Sequence, residues 1–272
     1  MTAMTAMTAM AATDKMLARK DGRVGTMIFN NPDRHNAVSL DMWQAAATIL
    51  DDFARDDDIR VVVVTGAGGK AFVSGADISK FEDERASEAA VTRYNATSQG
   101  FYASLYNFPK PTIASIQGYC IGGGLNLAIC CDVRFCTEGS RFGLPAAKLG
   151  LGYGYTGLRR FFDTIGPSNT KDIFFSARQF GAAEALSMGI VNKVLPDAEL
   201  APFVKDYSST IAENAPLTVS AIKQIAIEAL KPEAERDLKL ADRMVARCFA
   251  SQDYIEGRNA FMQKRKPVFT GK

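Results

Sequence analysis

The sequence predicts an α/β fold that is followed by a helical C-terminal region. A short strand pattern at 24–29, an amphipathic helix that begins at Ser39 and a nearly continuous apolar stretch at 59–64 follow one another along the chain. Strand, helix and strand in this order indicate two parallel strands joined by a right-handed crossover. Beyond Leu195 the patterns are helical only.

Composition limits the class of protein. The chain has 272 residues, of which 47% are apolar, with 32 basic and 30 acidic residues interspersed. Such mixed charge gives no basic patch for nucleic acid, and no apolar stretch reaches the roughly 18 residues needed to cross a membrane. We therefore expect a globular protein whose partners are small molecules and copies of itself, with no nucleic-acid or membrane partner.

Cysteine and histidine usage narrows the chemistry further. The five cysteines lack paired metal-ligand spacing, and four of them lie in or near the apolar stretch 111–131. This pattern is typical of buried thiols in a reducing compartment, so we expect a cytoplasmic location. Because His35 is the only histidine, a zinc site with two histidines is excluded, and no metal site is predicted.

The chain divides into three predicted regions. Residues 1–16 begin with three Met-Thr-Ala repeats and lack the segments of a signal peptide, so we predict a disordered leader. Residues 17–196 form the predicted core, which ends at a Leu-Pro-Asp turn. Residues 197–272 form the predicted helical region, with helical patterns at about 198–213, 216–230 and 233–262.

The most informative stretch is PTIASIQGYCIGGGLNLAICC, residues 111–131. A buried strand at 112–117 and a turn at Gly118 lead to three glycines, 122–124, that begin an apolar helix. The first N–H groups of a helix have no partner within it and carry the positive end of its dipole. A glycine-lined helix start is therefore suited to hold a negatively charged oxygen, although a tight turn that needs glycine only for packing explains the pattern equally well.

A second glycine-led stretch, residues 75–79, also favours the start of a helix, with Asp77 suited to its first turn. The preceding residues 65–71, TGAGGKA, imitate a dinucleotide-binding loop. The chain then continues as a strand instead of a helix, so a nicotinamide enzyme is not predicted. Residues 82–107 show a partly charged helical pattern that we expect at the surface.

The two glycine-led stretches belong to a series of motifs that occurs in one known family. The chain resembles the enoyl-CoA hydratase/isomerase (crotonase) superfamily over about residues 17–270. The matching segments are NNPDRHNAV (30–38), AFVSGADISKF (71–81), PTIASIQGYCIGGGLNLAICCDVRF (111–135), RFGLPAAKLGLG (141–152), ARQFGAAEALSMGIVNKVLP (177–196) and AFMQKRKPVF (260–269). The resemblance implies a crotonase-like spiral of ββα turns, with residues 197–272 covering coenzyme A and forming a homotrimer or hexamer.

The resemblance also implies an acyl-CoA site. The backbone N–H groups of Ala76 and Gly123 would form an oxyanion hole for the thioester carbonyl, where two preorganised donors stabilise an enolate. Coenzyme A would be part of the substrate, and no separate cofactor is expected. Its implied binding residues are Arg34, His35, Ala37, Ser74, Asp77, Ile78, Gly122, Phe261 and Lys264. His35 matches the coenzyme A turn and is not expected to be catalytic.

Two positions depart from the family pattern. Hydratases of this family place two glutamates around the reacting water, and the matching positions here carry Asn126 and Ala146. An amide does not titrate and alanine has no polar atom, so the acid and base of water addition are missing there. Tyr153 matches a tyrosine that a decarboxylase branch of the family carries, while a ring that only packs explains it equally well.

Three functions remain open from the sequence. The preferred one is an enzyme that stabilises a thioester enolate and performs decarboxylation, thioester hydrolysis or another proton shift without adding water. Its candidate catalytic residues are Ala76, Gly123, Asn126 and Tyr153. The second function is hydration or isomerisation, which another residue would support, such as Asp77, Glu82, Glu84 or Tyr153. The third is a non-catalytic subunit that binds coenzyme A.

Overall fold

Two β-sheets organise the computed structural model, which describes residues 13–77, 80 and 86–272. The larger sheet contains, in spatial order, β1 (Met16–Asp21), β2 (Val24–Phe29), β3 (Val61–Gly66), β5 (Thr112–Ile116), β7 (Val133–Thr137) and β10 (Lys193–Leu195). The smaller sheet contains β4 (Ala71–Val73), β6 (Tyr119–Ile121), β8 (Arg141–Gly143) and β9 (Gln179–Gly181).

Helices connect the strands and make up the C-terminal part of the described chain. They are α1 (Leu40–Arg55), α2 (Glu88–Tyr106), α3 (Gly123–Ile129), α4 (Tyr155–Ser176), α5 (Ala182–Ser187), α6 (Asp197–Glu213), α7 (Pro216–Ala229), α8 (Leu238–Phe249) and α9 (Gln252–Met262). Short 3₁₀ turns occur at Pro32–Arg34, Pro145–Leu149 and Glu233–Glu235. Mixed strands and helices with a helical C-terminal region confirm the predicted α/β class.

Strand β3, whose sequence VVVVTG is rich in β-branched residues, lies in the interior of the larger sheet. Its four valines are buried, as expected of a central strand covered on both faces. Strand β2 pairs with β3 in parallel, with Val24 opposite Val61, and α1 connects the two. The predicted strand, helix and strand crossover is therefore confirmed.

Strand β1 was not predicted from the sequence. It pairs antiparallel with β2 and begins at Met16, the last residue of the predicted leader, whose side chain is buried against the core. Its sequence, MLARKD, lacks a clear apolar pattern because β1 is an edge strand with mostly polar residues toward its end. The leader therefore cannot extend to Met16, and residues 1–12 lie outside the described residues.

A cluster of aromatic rings fixes α1 and α2 against the larger sheet. Trp43 of α1 packs 5.4 Å from the ring of Phe101 and 5.1 Å from the ring of Tyr102, both on α2. The buried side chains of α2 are Tyr94, Ser98, Phe101, Tyr102 and Leu105. The prediction of a surface helix at 82–107 is wrong for this face, because the aromatic residues recur at helical spacing and pack inward.

The C-terminal helices are tied to the larger sheet by partly buried polar contacts. Lys223 on α7 donates to Asp132 at 2.8 Å, and Arg60 donates to the carbonyl oxygens of Ala212 and Phe269. The third predicted helix, 233–262, is divided, because Ser251 ends α8 and caps α9 by accepting a hydrogen bond from the Tyr254 N–H. In the part of the chain that the structure describes, no helix has the length and apolarity that crossing a bilayer demands.

Candidate active site

The three glycines at 122–124 turn the chain from β6 into α3. Gly122 and Gly124 are needed there for different structural reasons. Gly122 has φ 57°, a backbone conformation that favours glycine, and its N–H already donates to the Gly143 carbonyl at 2.8 Å. A Cβ at Gly124 would overlap the carbonyl oxygen of Val73. Glycine at 124 therefore lets the end of β4 approach the first turn of α3.

Gly123 supplies the first predicted donor. It is the first residue of α3, and its N–H has no acceptor among residues 13–77, 80 and 86–272. The N–H groups of Leu125 and Asn126 differ, because both donate to the Gly122 carbonyl at 3.1 Å. The Gly123 N–H is therefore a free donor at this end of the helix.

Ala76 carries the second predicted donor. It lies opposite Val38 in an isolated parallel β-bridge. The Val38 N–H donates to the Gly75 carbonyl at 2.8 Å, and the Asp77 N–H donates to the Val38 carbonyl at 3.0 Å. In this pattern the middle residue points its own N–H away from the partner strand. The Ala76 N–H has no acceptor within the described part of the chain, so it is available to a ligand.

Gly75 brings the two donors onto adjacent backbone segments. Its φ is 107°, and a Cβ built there would lie 3.8 Å from the backbone nitrogen of Gly123. A Cβ built on Gly123 would in turn lie 3.7 Å from the Cα of Gly75. Two unpaired N–H groups on neighbouring segments give the arrangement that stabilises an oxyanion.

The turn at 30–38 holds Val38 in place, and a residue that the sequence analysis missed fixes this turn. Asn36 is fully buried with φ 55°. Its Oδ1 accepts from the Asn31 N–H at 2.9 Å, and its Nδ2 donates to the carbonyls of Ala67 and Ala71 at 2.9 and 2.7 Å. The Asn36 amide therefore connects this turn to the loop that leads into β4.

Several predicted coenzyme A residues gather around this turn. The side chains of Arg34 and His35 are exposed, whereas Ala37 is buried. The Ser74 N–H donates to the His35 carbonyl at 3.1 Å, and the Ser74 hydroxyl donates to the Arg34 carbonyl at 3.4 Å. The His35 ring also meets the ring of Tyr119 edge-on at 5.7 Å. The structure thus brings Arg34, His35, Ala37 and Ser74 beside Ala76.

The remaining predicted coenzyme A residues fall into three groups. Asp77 is buried directly after Ala76, and Gly122 directly precedes Gly123. Ile78 lies outside the described residues. Phe261 and Lys264 are exposed at the end of α9, and within the described chain neither contacts the turn at 30–38. No hydrogen bond, ion pair or ring contact among the described residues joins Phe261 or Lys264 to this turn.

Asn126 and Tyr102 form a polar pair beside Gly123. The Tyr102 hydroxyl donates to the Gly123 carbonyl at 3.0 Å. Burial raises the pKa of Tyr102 well above its usual value, and a hydrogen bond from the Asn126 side chain opposes this rise of the pKa. Asn126 is 2% exposed, and its Oδ1 has no partner among the described residues. Sequence analysis missed Tyr102, although its helical spacing from Tyr94, Ser98 and Leu105 carried a signal.

Ala146 lies on the other side of the glycine turn. It belongs to the 3₁₀ turn Pro145–Leu149 and is buried. The Cδ of Pro145 would lie 3.9 Å from a Cβ on Gly122. Asn126 and Ala146 therefore lie close to the Gly122 to Gly124 turn, and neither side chain titrates.

Tyr153 packs edge-on against the ring of Phe174 at 4.8 Å and more distantly against Phe161. Burial is the main cause that raises the pKa of Tyr153, and nearby Cys130 raises this pKa further, while Arg160 lowers it. A raised pKa keeps the phenol protonated near neutral pH, so it is a donor and not a base. The packing interpretation is supported, and a catalytic role stays a prediction.

Two backbone N–H groups without an acceptor therefore lie on adjacent segments of an α/β fold, and such donors can hold a negatively charged oxygen. Comparison with known proteins narrows the class of protein. The profile of the enoyl-CoA hydratase/isomerase family matches residues 19–272. The chain belongs to this family.

Individual relatives agree with this assignment over nearly the full chain. The crotonyl-CoA hydratase of Syntrophomonas wolfei is 33% identical over 264 residues, which cover 96% of this chain and 100% of the relative. The short-chain-enoyl-CoA hydratase of Clostridium acetobutylicum is 30% identical over 253 residues, 93% of this chain and 96% of the relative. The crystal structure of an enoyl-CoA hydratase/carnithine racemase from Magnetospirillum magneticum is 34% identical, has a TM-score of 0.91 and covers 96% of this chain and 97% of its own.

Proposed function

We propose that this protein is an enzyme that binds an acyl-CoA and stabilises the enolate of its thioester. The pair of unpaired N–H groups at Ala76 and Gly123, on adjacent backbone segments, carries this proposal. Family membership supports coenzyme A as the carrier of the acyl group. Removing one such donor from an oxyanion hole typically lowers the rate by about 10² to 10³.

The chemistry that we prefer does not add water across an enoyl double bond. Decarboxylation fits a site with Asn126 and Ala146 because it requires no base. The bond between the α-carbon and the departing carboxylate breaks, its electron pair passes to the thioester oxygen as an enolate, and the α-carbon then takes up a proton. Thioester hydrolysis uses the same oxyanion hole and belongs to the same proposal. Exchange of the α-proton belongs to it as well, with a group other than Asn126, Ala146 and the protonated Tyr153 taking up the proton.

Tyr153 is our candidate for the proton that the α-carbon takes up. It makes no hydrogen bond within the described residues, and its pKa is raised by burial, so the phenol keeps its proton. A neutral phenol beside a developing enolate can donate this proton or orient the acyl group. Asn126 stays neutral in either role.

Enoyl-CoA hydration is the second candidate function. Its support is that two relatives of at least 30% identity carry names of hydratases. Water addition would then need an acid and a base other than Asn126 and Ala146. Asp77, buried next to Ala76, and Tyr153 are the candidates among the described residues, whereas Glu82 and Glu84 lie outside them.

We further propose that the protein works in the cytoplasm as a homotrimer or hexamer. Within the described structure, α8 has no buried residue, and its large apolar side chains Leu238, Val245 and Phe249 are exposed. A neighbouring copy that covered α8 could also bring Phe261 and Lys264 to the coenzyme A turn. Within the described chain the cysteines are free thiols, which supports a reducing compartment.

The test is mass spectrometry of saturated, enoyl, malonyl-type and hydroxyacyl-CoA incubated with the protein in D₂O. We expect loss of CO₂, release of free coenzyme A or deuterium at the α-carbon, without gain of water on the enoyl thioester. The double variant Asn126→Glu/Ala146→Glu is the matched control, because it restores the two carboxylates and should gain hydration.

Each outcome of this test has a defined meaning. Hydration by the unchanged protein would favour the second candidate over the first. A panel that is neither altered nor bound would contradict both, and a panel that is bound but unaltered would favour the non-catalytic subunit.

A further inference from the structure

The turn that ends α9 carries a residue in an uncommon backbone conformation. Lys264 has φ 53°, in the left-handed region where glycine is the usual residue. Its N–H donates to the Phe261 carbonyl at 3.2 Å. The Arg265 N–H donates to the Ala260 carbonyl at 3.0 Å, which completes the Schellman motif that closes a helix. A lysine at a position that favours glycine points to a use of its side chain.

Lys264 differs from the two basic residues that follow it. The Arg265 guanidinium forms an ion pair with Glu256 at 2.6 Å. The Lys266 ammonium group lies 2.7 Å from the Glu213 carboxylate. The Lys264 side chain is exposed and has no ion pair with any carboxylate that the structure describes. Of these three cations in the described chain, Lys264 is therefore the one left to meet an anionic ligand.

A carboxylate on α9 holds the chain directly after this turn. Glu256 Oε1 and Oε2 accept hydrogen bonds from the two terminal nitrogens of Arg265 at 2.6 and 2.8 Å. Glu256 Oε1 also accepts from the Val268 N–H at 2.9 Å. The bond from Arg265, and then that from Val268, lower the pKa of Glu256 to about 2, so the carboxylate is charged at neutral pH. These three bonds form a clasp that is more directional than an ordinary surface ion pair.

The clasp belongs to a set of contacts that fold residues 266–271 back along α9. One turn earlier on the helix, the buried Asp253 accepts from the N–H groups of residues 270 and 271 at 2.7 and 2.8 Å. The segment therefore runs antiparallel to α9, and Lys264 lies at the bend. The clasp is the contact nearest to this bend, because it binds Arg265 directly beside Lys264.

We propose that Glu256 is a positioning residue, whose clasp holds Lys264 in the left-handed turn and so directs its ammonium group to a phosphate of the coenzyme A that a neighbouring copy binds. Glu256 itself does not bind the phosphate, since both groups are negatively charged. Its effect on the ligand must therefore pass through Lys264. This inference rests on the proposed acyl-CoA site and oligomer, and it adds a residue that acts on coenzyme A without touching it.

A double-mutant cycle tests this role. Calorimetric dissociation constants of butyryl-CoA are measured for the unchanged protein, Glu256→Gln, Lys264→Met and the double variant. Glutamine keeps the size of the side chain and an oxygen for the Val268 N–H, but it lacks the charge that pairs with Arg265. The matched control is Glu213→Gln, which removes the carboxylate of the neighbouring ion pair.

We expect Lys264→Met to weaken butyryl-CoA binding at least about tenfold, as for one lost hydrogen bond between charged groups. Glu256→Gln should weaken binding at least about threefold on its own and should have no further effect in the Lys264→Met background. Glu213→Gln should bind like the unchanged protein. Equal effects of Glu256→Gln in both backgrounds would show that Glu256 does not act through Lys264, which overturns the inference.

A second ligand separates positioning from general stabilisation. S-butyryl-pantetheine carries the same thioester without the phosphates of coenzyme A, and its affinity is measured by competition with butyryl-CoA. Glu256→Gln should leave this affinity unchanged, because the ligand offers Lys264 no phosphate. Equal weakening of both ligands, or an altered oligomeric state of Glu256→Gln in light scattering, would assign Glu256 to stability or assembly and overturn its positioning role.

The two levels of inference fail in different ways. If Glu256→Gln matches Glu213→Gln, or if Lys264→Met binds butyryl-CoA like the unchanged protein, the positioning role is overturned while the acyl-CoA site stands. If the unchanged protein binds neither thioester, the proposed function and this inference are overturned together.

Discussion

Gly123 and Ala76 offer the same chemical group, a backbone N–H, but the fold holds them by different means. At Gly123 the surroundings leave no room for a side chain, since a Cβ would meet the Tyr102 hydroxyl at 2.9 Å. At Ala76 the backbone is held by two hydrogen bonds to Val38, and the buried Asn36 amide fixes the turn that carries Val38. Packing thus defines one donor and hydrogen bonds define the other.

Because of this difference, substitutions near the two donors should have different effects. The Gly123 segment belongs to α3 and to the Tyr102 contact, so changing it should affect turnover first. The Ala76 segment shares its turn with Arg34 and His35, so changing it should affect coenzyme A binding and stability together. The following predictions test this contrast, starting with the largest effect.

Gly123→Pro removes the free N–H, and we expect turnover of the acyl-CoA substrate to fall by at least about 10² to 10³. Proline is tolerated in the first turn of a helix, so α3 should still form. Steady-state kcat measured with the best substrate of the acyl-CoA panel provides the readout.

The control for this change uses the Tyr102→Phe background, because the phenol hydroxyl would crowd any Cβ at position 123. In that background Gly123→Ala keeps the N–H and Gly123→Pro lacks it. Equal kcat for the two double variants would show that the N–H has no part in turnover.

Asn36→Ala should disturb the turn that carries Val38, which pairs with Ala76. We expect it to lower the free energy of unfolding by about 2–4 kcal/mol and to weaken acyl-CoA binding. It removes one accepted and two donated hydrogen bonds from a buried site, and it places alanine at φ 55°. Urea unfolding and calorimetric titration measure the two effects.

Asn36→Asp is the matched comparison for this prediction, because aspartate tolerates the same φ and keeps the acceptor for the Asn31 N–H. It replaces the two donations to Ala67 and Ala71 by a buried carboxylate oxygen facing two carbonyl oxygens, so it should destabilise the turn at least as strongly as Asn36→Ala. Unchanged acyl-CoA affinity in a folded Asn36→Ala protein would separate the turn from the candidate site.

Tyr153→Phe should lower kcat about tenfold, the size of effect expected from one lost hydrogen bond of about 1.4 kcal/mol. The edge-on contacts with Phe161 and Phe174 need only the ring, so the melting temperature should stay the same. An unchanged kcat would leave Tyr153 as a packing residue.

Alkaline pH should lower the free energy of unfolding by a smaller amount, through Cys130 at the end of α3. Burial raises the pKa of Cys130, which follows the last residue of α3, from 9.0 to about 11. Above pH 9 the unfolded chain loses this proton while the folded chain keeps it until about pH 11, so stability falls across this window. At pH 10 the loss from Cys130 is about 1 kcal/mol.

The measurement for Cys130 is the difference in unfolding free energy between pH 7.5 and pH 10, in reducing buffer. Comparing this difference between the unchanged protein and Cys130→Ala cancels the cavity that the substitution leaves. A pH effect of the same size in both proteins would show that Cys130 does not titrate as stated.

The sequence was sufficient for the features whose signals are local. The strands β2, β3 and β5, and the glycines at 122–124, follow from runs of β-branched residues and from turn residues that lie side by side. Asn36 and Tyr102 were missed because their partners are distant in sequence. Asn36 reaches carbonyls 31 and 35 residues away, and Tyr102 reaches Gly123 across 21 residues.

The contact between Lys223 and Asp132 has a consequence for exchanging segments among relatives. Lys223, 8% exposed on α7, donates to the Asp132 carboxylate, which also accepts from the Thr112 N–H at 2.7 Å at the start of β5. A chimera that joins residues 1–196 of this chain to a helical region without the lysine would leave that carboxylate without its cation. Recombination between family members therefore keeps this ion pair only when the lysine and the aspartate are inherited together.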